Sequence, residues 1–154
     1  MKHKFIKVAA ITTDIEVGNV EFNAEKIIEA IKEAQKKNVR LAVFPELCLT
    51  GYTCGDLFLQ DILLNAALEG LKQVIDASEN KDMVIVVGLP FYHTNALYNT
   101  AAIIFNGQLL GIVPKQFIPN YSEFYETRHF AMPRVDMGRG NIDSMVQKEN
   151  RLSG

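Results

Sequence analysis

Two charged residues of this 154-residue chain directly follow apolar segments that end in proline. Glu46 follows the run 41–45, and Lys115 follows the run 108–114. Functional sites of α/β proteins collect at strand ends, where a carboxylate can accept a proton and a lysine can stabilise developing negative charge. Either residue alone is more typical of a solvated loop, so the chemistry depends on what surrounds the pair.

Two amphipathic patterns predict helices between the strands that carry these residues. Asn23 is predicted as the N-cap of the first helix, which ends at 36–38, where lysines suit the helix dipole. The second helix is predicted to begin at about Asp61. The apolar faces that would pack on a sheet are Ile27, Ile28, Ile31 and Ala34 in the first helix and Leu63, Ala67, Leu71 and Val74 or Ile75 in the second.

Apolar and β-branched runs predict five strands, at 5–12, 41–44, 83–87, 100–105 and 108–113. Pro45 is predicted to stop the second strand and Gly88 the third. Asn106-Gly107 predicts a hairpin between the last two, because both turn positions favour positive φ. The order β-α-β-α-β followed by a hairpin predicts an α/β fold with a mixed sheet and helices on one face.

Composition predicts one soluble, cytoplasmic domain. Hydrophobic residues make up 48% of the chain and charged residues 22%, with a net charge of −2. This balance gives no basic surface for nucleic acid or a membrane, and no apolar run reaches the length of a membrane span. Lys7 and Asp14 interrupt the apolar start, so no signal peptide is predicted. His3, His93 and His129 lack metal-ligand spacing, so no metal site is predicted.

Two longer motifs around the charged residues resemble those of a known family. Residues 44–52, FPELCLTGY, with Asp56-Leu57 beyond, resemble the glutamate motif of the nitrilase (carbon-nitrogen hydrolase) superfamily. Residues 111–115, GIVPK, resemble its lysine motif. The flanks are most similar to the N-terminal glutaminase domain of glutamine-dependent NAD synthetase, and the resemblance covers about residues 5–130. The residues after the lysine motif that contribute to the resemblance are Tyr121, Glu123, Phe124 and Tyr125.

The resemblance implies an amidase that uses a glutamate, a lysine and a cysteine. The thiolate would attack the side-chain amide of glutamine, Glu46 would act as the base, and Lys115 would stabilise the oxyanion. Glu123 would be a supporting glutamate. The residues implied to line the glutamine pocket are Tyr52, Tyr121 and Phe124.

The resemblance also implies an architecture and partners. Members of the superfamily form a four-layer α-β-β-α sandwich, of which this chain would supply an incomplete part. The full-length form would be a homo-oligomer. Ammonia would pass to a synthetase domain or subunit that uses ATP and Mg to amidate deamido-NAD, whereas the amidase part needs no cofactor. No nucleotide-binding motif of that synthetase part is present in this sequence.

The chain departs from the family at the nucleophile. In the family the nucleophilic cysteine lies downstream of the lysine motif, and no cysteine follows Lys115 here. Cys48 is predicted to be a small buried residue and Cys54 a loop thiol. We therefore expect 1–133 to be the N-terminal part of a truncated amidase domain, inactive alone, and 134–154 to be a polar, irregular or non-native tail.

Two other hypotheses are compatible with the sequence. A non-catalytic pseudoenzyme could bind a carboxamide, or a homologous amidase, through the retained residues. Alternatively, an amidase of the same superfamily could act on another linear amide or on a ureido acid. The Leu-Thr-Gly-Tyr and Asp-Leu flanks of the glutamate motif favour glutamine over these only modestly.

Overall fold

The computed structural model describes residues 5–118 and 126–133, which form a mixed sheet, two long helices and two short 3₁₀ helices. The predicted boundary after 133 and the predicted tail 134–154 lie outside the described residues. The sheet is in chain order, with β1–β3 parallel and β4 and β5 antiparallel to their neighbours. The elements are β1 (Lys7–Ala10), α1 (Val20–Lys36), β2 (Val39–Val43), a 3₁₀ helix (Gly55–Leu59), α2 (Asp61–Ala77), β3 (Val84–His93), β4 (Ala96–Phe105), β5 (Gln108–Pro114) and a 3₁₀ helix (Glu126–Arg128).

Both helices cover the same face of the sheet, as predicted. α1 connects β1 to β2, and α2 connects β2 to β3, and both connections join adjacent parallel strands. Because such connections are right-handed, two that follow the same direction across the sheet place their helices on the same face. The core that they share with alternate strand residues includes the fully buried Ile27, Val74, Ile85 and Ile104. The opposite face exposes apolar side chains such as Val43. Among the described residues, no helix is both long and apolar enough to cross a membrane.

The first helix begins four residues earlier than the sequence predicts. Its N-cap is Asn19, whose side chain accepts a hydrogen bond from Phe22 N at 3.1 Å, so the prediction that Asn23 is the N-cap is wrong. Asn23 lies inside α1 and is fully buried. Its side chain accepts from Glu16 N and donates to Glu16 O and Leu49 O, at 2.8, 2.9 and 3.0 Å. These hydrogen bonds hold α1 against the segment before it, which contains Glu16, and against the segment that follows β2, which contains Leu49.

The third strand does not end at Gly88, as predicted, but runs on to His93 and turns directly into β4. The two-residue turn is Thr94-Asn95, with φ of 45° and 62°, which matches the tight hairpins favoured by sheet twist. Pro90 is tolerated within β3 because the pairing of β3 with β2 ends at Val86, before the proline. The predicted Asn106-Gly107 hairpin is confirmed, with φ of 46° and 75°.

Gly88 has a role other than ending a strand. The backbone of 45–47 crosses β3 directly over it, on the face opposite the helices. A Cβ atom at position 88 would lie 2.8 Å from Pro45 O and 2.9 Å from the Glu46 carbonyl carbon. Backbone atoms cannot move aside as a flexible side chain can, so this crossing requires glycine. It places Glu46 above the sheet, from where its side chain reaches Asn99 of β4 and Lys115 after β5.

Gly88→Ala should therefore destabilise the fold. We expect a loss of about 1–3 kcal/mol in the free energy of unfolding, the usual cost of forcing an extra methyl group into a packed site. Urea denaturation measures it. Gly70→Ala is the comparison variant, because there the nearest atom is a methyl of the Val20 side chain, at 2.6 Å, and not a backbone atom. Helix propensity also favours alanine at that position by about 0.5–1 kcal/mol. Equal losses in the two variants would contradict this account of Gly88.

Candidate active site

The structure brings the two residues singled out from the sequence together. β5 runs in the same direction as β2, because the two antiparallel pairings after β3 restore the strand direction. The carboxyl ends of both strands therefore lie at one edge of the sheet. Since β2 and β5 are three strand spacings apart, about 14 Å, the crossing over Gly88 is needed to close the gap. Lys115 Nζ donates to Glu46 Oε1 at 2.7 Å.

A second carboxylate, Glu126, completes an ion cluster with these residues. Lys115 Nζ donates to Glu126 Oε1 at 2.9 Å and to Oε2 at 3.2 Å. The Glu126 side chain is only 5% exposed, against 28% for Lys115 and 40% for Glu46. One ammonium group therefore lies between one buried and one partly exposed carboxylate. We call Glu46, Lys115 and Glu126 the ion cluster.

Sequence analysis did not single out Glu126. Nothing in the sequence favours it over Glu123, because both follow the lysine motif in the same short charged and aromatic stretch. The segment that carries it makes a contact remote in sequence: Phe130 packs edge-on against Phe58, with ring centroids 4.9 Å apart. The roles predicted for Tyr121, Glu123 and Phe124 concern residues outside the described part of the chain.

Ion pairs beside Phe58 also attach the Glu126 segment to the fold. Asp56 Oδ2 lies 3.1 Å from Arg128 Nη2, and Asp56 Oδ1 lies 3.1 Å from His129 Nε2. The hydrogen bond from His129 and the charge of Arg128 hold the pKa of Asp56 below its usual range. The Asp-Leu pair of the glutamate motif thus contributes a residue that anchors the segment carrying Glu126.

Two neutral donors complete the surroundings of the carboxylates. Tyr52 Oη donates to Glu126 Oε1 at 2.7 Å. Asn99 Nδ2 donates to Glu46 Oε1 and, at 3.4 Å, to Glu126 Oε2. Burial, followed by the hydrogen bond and charge of Glu126, raises the pKa of Tyr52 above its usual range, so its hydroxyl stays protonated and donating. Sequence analysis identified Tyr52 as a pocket residue and did not identify Asn99.

The electrostatic balance keeps Lys115 charged. Burial lowers the pKa of this lysine, but hydrogen bonds and charge interactions with Glu46 and Glu126 outweigh that effect, so the net shift is upward. The site therefore holds a fixed positive charge next to a partly exposed carboxylate. Such a pair can stabilise a developing oxyanion and accept a proton.

The backbone next to Glu46 is held in an uncommon conformation. Leu47 has a φ of 51° and is fully buried. The amides of Thr50 and Gly51 donate to its carbonyl oxygen at 3.1 and 2.8 Å. Left-handed backbone at a residue other than glycine costs on the order of 1–3 kcal/mol and collects at functional sites. The turn directs Glu46 toward β4 and β5 while Leu47 fills the core.

Neither cysteine lies free in the site. Cys48 is 2% exposed, and its Sγ accepts a hydrogen bond from Gly88 N at 3.3 Å. Burial raises the pKa of Cys48 to about 11, so the thiol stays protonated at neutral pH. Cys54, predicted as a loop thiol, is buried, and its Sγ donates to Thr50 O at 3.1 Å. Both are packing residues, as predicted for Cys48.

A cavity of about 650 Å³ opens beside the ion cluster. This volume suits a small ligand. Glu126 and Tyr52 belong both to the cavity wall and to the hydrogen-bond network, whereas Glu46 and Lys115 are not among the lining residues. Within the described residues, no group of three or more His, Cys, Asp or Glu side chains could hold a metal ion. Other residues that line the cavity include Leu47, Asp56, Phe58 and His129.

A double-mutant cycle tests whether the ion cluster is energetically coupled. Lys115→Met should cost about 1–3 kcal/mol of unfolding free energy, because it leaves the buried Glu126 carboxylate without its cation. When Glu126→Gln is added, the combined loss should fall short of the sum by about 0.5–3 kcal/mol. The measurement is urea denaturation of the wild type, both single variants and the double variant.

The exposed pair of Lys36 and Glu33 on α1, 2.6 Å apart, is the control for this cycle. Its coupling should not exceed about 0.5 kcal/mol, since solvent screens exposed pairs. If the coupling of Lys115 with Glu126 were no larger than that of the control pair, the two residues would not form a buried charged unit.

Comparison with known proteins shows the family to which the chain belongs. The carbon-nitrogen hydrolase family model matches residues 7–151. Glutamine-dependent NAD(+) synthetase of Mycobacterium tuberculosis is 41% identical over 130 residues, which are 84% of this chain and 19% of that protein. The enzyme of the same name from Aquifex aeolicus is 45% identical over 114 residues, 74% of this chain and 20% of that protein. The chain thus spans about a fifth of the length of these relatives.

Solved structures show the same fold. The glutamine-dependent NAD(+) synthetase of Cytophaga hutchinsonii superposes with a TM-score of 0.80 at 33% identity, over 85% of this chain and 22% of that one. An amidase from Nesterenkonia superposes with a TM-score of 0.70 at 19% identity, over 84% of this chain and 48% of that one, which shows a shared fold. A mutant of an amidase from Nesterenkonia AN1, described as being from the nitrilase superfamily, superposes with a TM-score of 0.71 at 18% identity, over 84% of this chain and 48% of that one. The chain therefore has part of a nitrilase-like α/β fold and belongs to the carbon-nitrogen hydrolase family.

Proposed function

We propose that this chain supplies the base and the oxyanion-stabilising lysine of a glutamine amidase. The observation that carries the proposal is the preformed ion cluster, in which the Lys115 ammonium contacts both Glu46 and the buried Glu126. Hydrolysis of an amide by a thiol needs a group that accepts the thiol proton and a fixed charge beside the new oxyanion. Glu46 and Lys115 have those properties, and they lie 2.7 Å apart.

The proposed reaction proceeds through a thioester. Glu46 accepts the proton of a cysteine thiol as the sulfur attacks the amide carbon, and Lys115 stabilises the oxygen, which becomes negative. The carbon–nitrogen bond then breaks, and Glu46 returns the proton to the leaving ammonia. Glu46 next takes a proton from water, which attacks the thioester and releases the acid and the thiol. Glu126, held by Tyr52, keeps Lys115 in place throughout.

Glutamine is the substrate we propose, on the strength of the relatives. Those with the highest identities that we describe are glutamine-dependent NAD(+) synthetases. Ammonia released from glutamine would be used by a synthetase domain or subunit that requires ATP and Mg. In this proposal Tyr121 and Phe124 join Tyr52 in lining the glutamine pocket.

The thiol in this proposal is neither Cys48 nor Cys54. Both are buried and donate to or accept from backbone groups. Burial raises the pKa of each, which disfavours the reactive thiolate. The nucleophile is therefore proposed to come from outside the 154 residues, from a further part of the same gene product or from another chain.

Substitutions in the product of the natural gene, purified from its source organism, test this function. Glu46→Gln and Lys115→Met should each lower kcat/KM for ammonia release from glutamine about 10²-fold or more, because each removes a group used in the transition state. Glu69→Gln and Lys72→Met are matched controls on the exposed face of α2 and should retain activity. Near wild-type activity in either site variant would contradict the proposal.

The 154-residue chain alone gives a second readout of the same proposal. It should release no ammonia from glutamine above background. Turnover that survives Cys48→Ala together with Cys54→Ala would show that the hydrolysis does not use a thiol. Hydrolysis of another linear amide by the natural gene product, with the same dependence on Glu46 and Lys115, would correct the substrate and leave the mechanism intact.

A further inference from the structure

Asn99 is an unusual residue for its place in the sheet. It lies in β4 between strand residues and is 3% exposed. Asparagine is depleted in strands, and a buried amide without partners costs on the order of 1–3 kcal/mol. Its side chain projects from the face opposite the helices, the same face over which 45–47 crosses Gly88. Within the part of the chain that the structure describes, its side chain donates to Glu46 and Glu126 of the ion cluster.

Asn99 contacts every member of the ion cluster. Its side-chain Nδ2 donates to Glu46 Oε1 and to Glu126 Oε2. Its backbone carbonyl accepts from Lys115 N at 2.8 Å, which fixes where the lysine side chain leaves the sheet. A carboxylate only accepts hydrogen bonds, so chemistry requires the amide nitrogen to face the two glutamates. The two hydrogens of that nitrogen match the two carboxylates.

A neutral donor suits this position better than a charged one. The cluster has two carboxylates for one ammonium, and Lys115 is the group that must turn a hydrogen toward an oxyanion during the proposed reaction. A second cation at position 99 would compete with Lys115 for the same carboxylates. An amide instead stabilises both negative charges without adding a positive one.

We propose that Asn99 is the positioning residue of this site, whose amide holds the Glu46 and Glu126 carboxylates at a fixed separation on either side of Lys115. The catalytic assignment of Glu46 and Lys115 rests on the proposed amidase function. The bridging role of Asn99 rests on geometry, so it can be tested in the 154-residue chain without measuring catalysis.

Asn99→Asp provides the first test, because it keeps the size of the side chain and replaces two donors with acceptors. Among the described residues, the titratable groups facing the new carboxyl are Glu46, Glu126 and Lys115, with Tyr52 beyond Glu126. Two like charges against one opposite charge should raise the pKa of the new carboxyl in the folded state above its unfolded value of about 3.9. The folded variant then binds more protons than the unfolded one, so its stability falls as pH rises above about 4.

Urea midpoints of the wild type and Asn99→Asp, measured from about pH 4 to pH 7, should therefore diverge as pH increases. A variant that folds only at acidic pH would support the proposal for the same reason. A deficit equal at every pH would overturn it, because the new carboxyl group would then not lie beside the two glutamate charges.

Asn99→Ala provides the second test through a spectroscopic signature of Lys115. An ammonium group held by two carboxylates exchanges its hydrogens slowly and gives a ¹H–¹⁵N signal at low temperature, which Lys115→Met identifies by its loss. Asn99→Ala should lose this signal. Thr100→Val is the matched control, since Thr100 is the next buried strand residue, faces the helices and donates to Leu89 O at 2.8 Å.

Retention of the signal in folded Asn99→Ala would overturn the proposal. If Asn99→Ala does not fold while Thr100→Val does, the pH dependence of Asn99→Asp decides. Failure of the proposed function would be seen as absence of ammonia release by the natural gene product, which changes neither the pH dependence nor the signal. The two claims therefore fail separately.

Discussion

The passage of the backbone of 45–47 over Gly88 is the constraint on which the site depends. Glu46 follows β2 in the chain, and Lys115 follows β5, which lies three strands away from β2 in the sheet. Without a side chain at position 88, the backbone can lie in direct contact with β3, and the Glu46 side chain reaches Lys115 from there. The left-handed conformation of Leu47 and the bond from Leu49 N to Gly88 O, 3.2 Å long, hold the crossing in place.

Charge is arranged around this crossing so that the site exists before any substrate binds. A buried carboxylate is costly unless it is paired and hydrogen-bonded. Glu126 meets that requirement through Lys115, Tyr52 and Asn99, which all donate to it. Glu46 is more exposed and is the carboxylate that a reactant could reach. The asymmetry in burial therefore separates a supporting carboxylate from a reactive one, although both contact the same lysine.

Local patterns in the sequence predicted the helices and strands. The roles of individual residues in the site and in the crossing depend on contacts between residues far apart in sequence. The Asn106-Gly107 turn and the apolar faces of both helices could be recognised because the relevant residues are close in sequence. The predictions that Gly88 ends a strand and that Asn23 is an N-cap are wrong. The roles of these two residues depend on contacts with 45–47 and with Leu49, which lie elsewhere in the chain. Asn99 and Glu126 were missed for the same reason. The bond from Asn99 to Glu46 spans 53 residues, and no periodic pattern signals a pairing of that length.

The central claim is that Glu46 and Lys115 form half of a thiol-dependent amidase site whose nucleophile is neither Cys48 nor Cys54. The most direct measurement exposes the natural gene product to a glutamine analogue with an electrophilic carbon in place of the side-chain amide, and locates the adduct by peptide mass spectrometry. The account predicts an adduct on a cysteine outside these 154 residues, formed more slowly in Glu46→Gln. An adduct on Cys48 or Cys54, or no cysteine adduct at all, would contradict it.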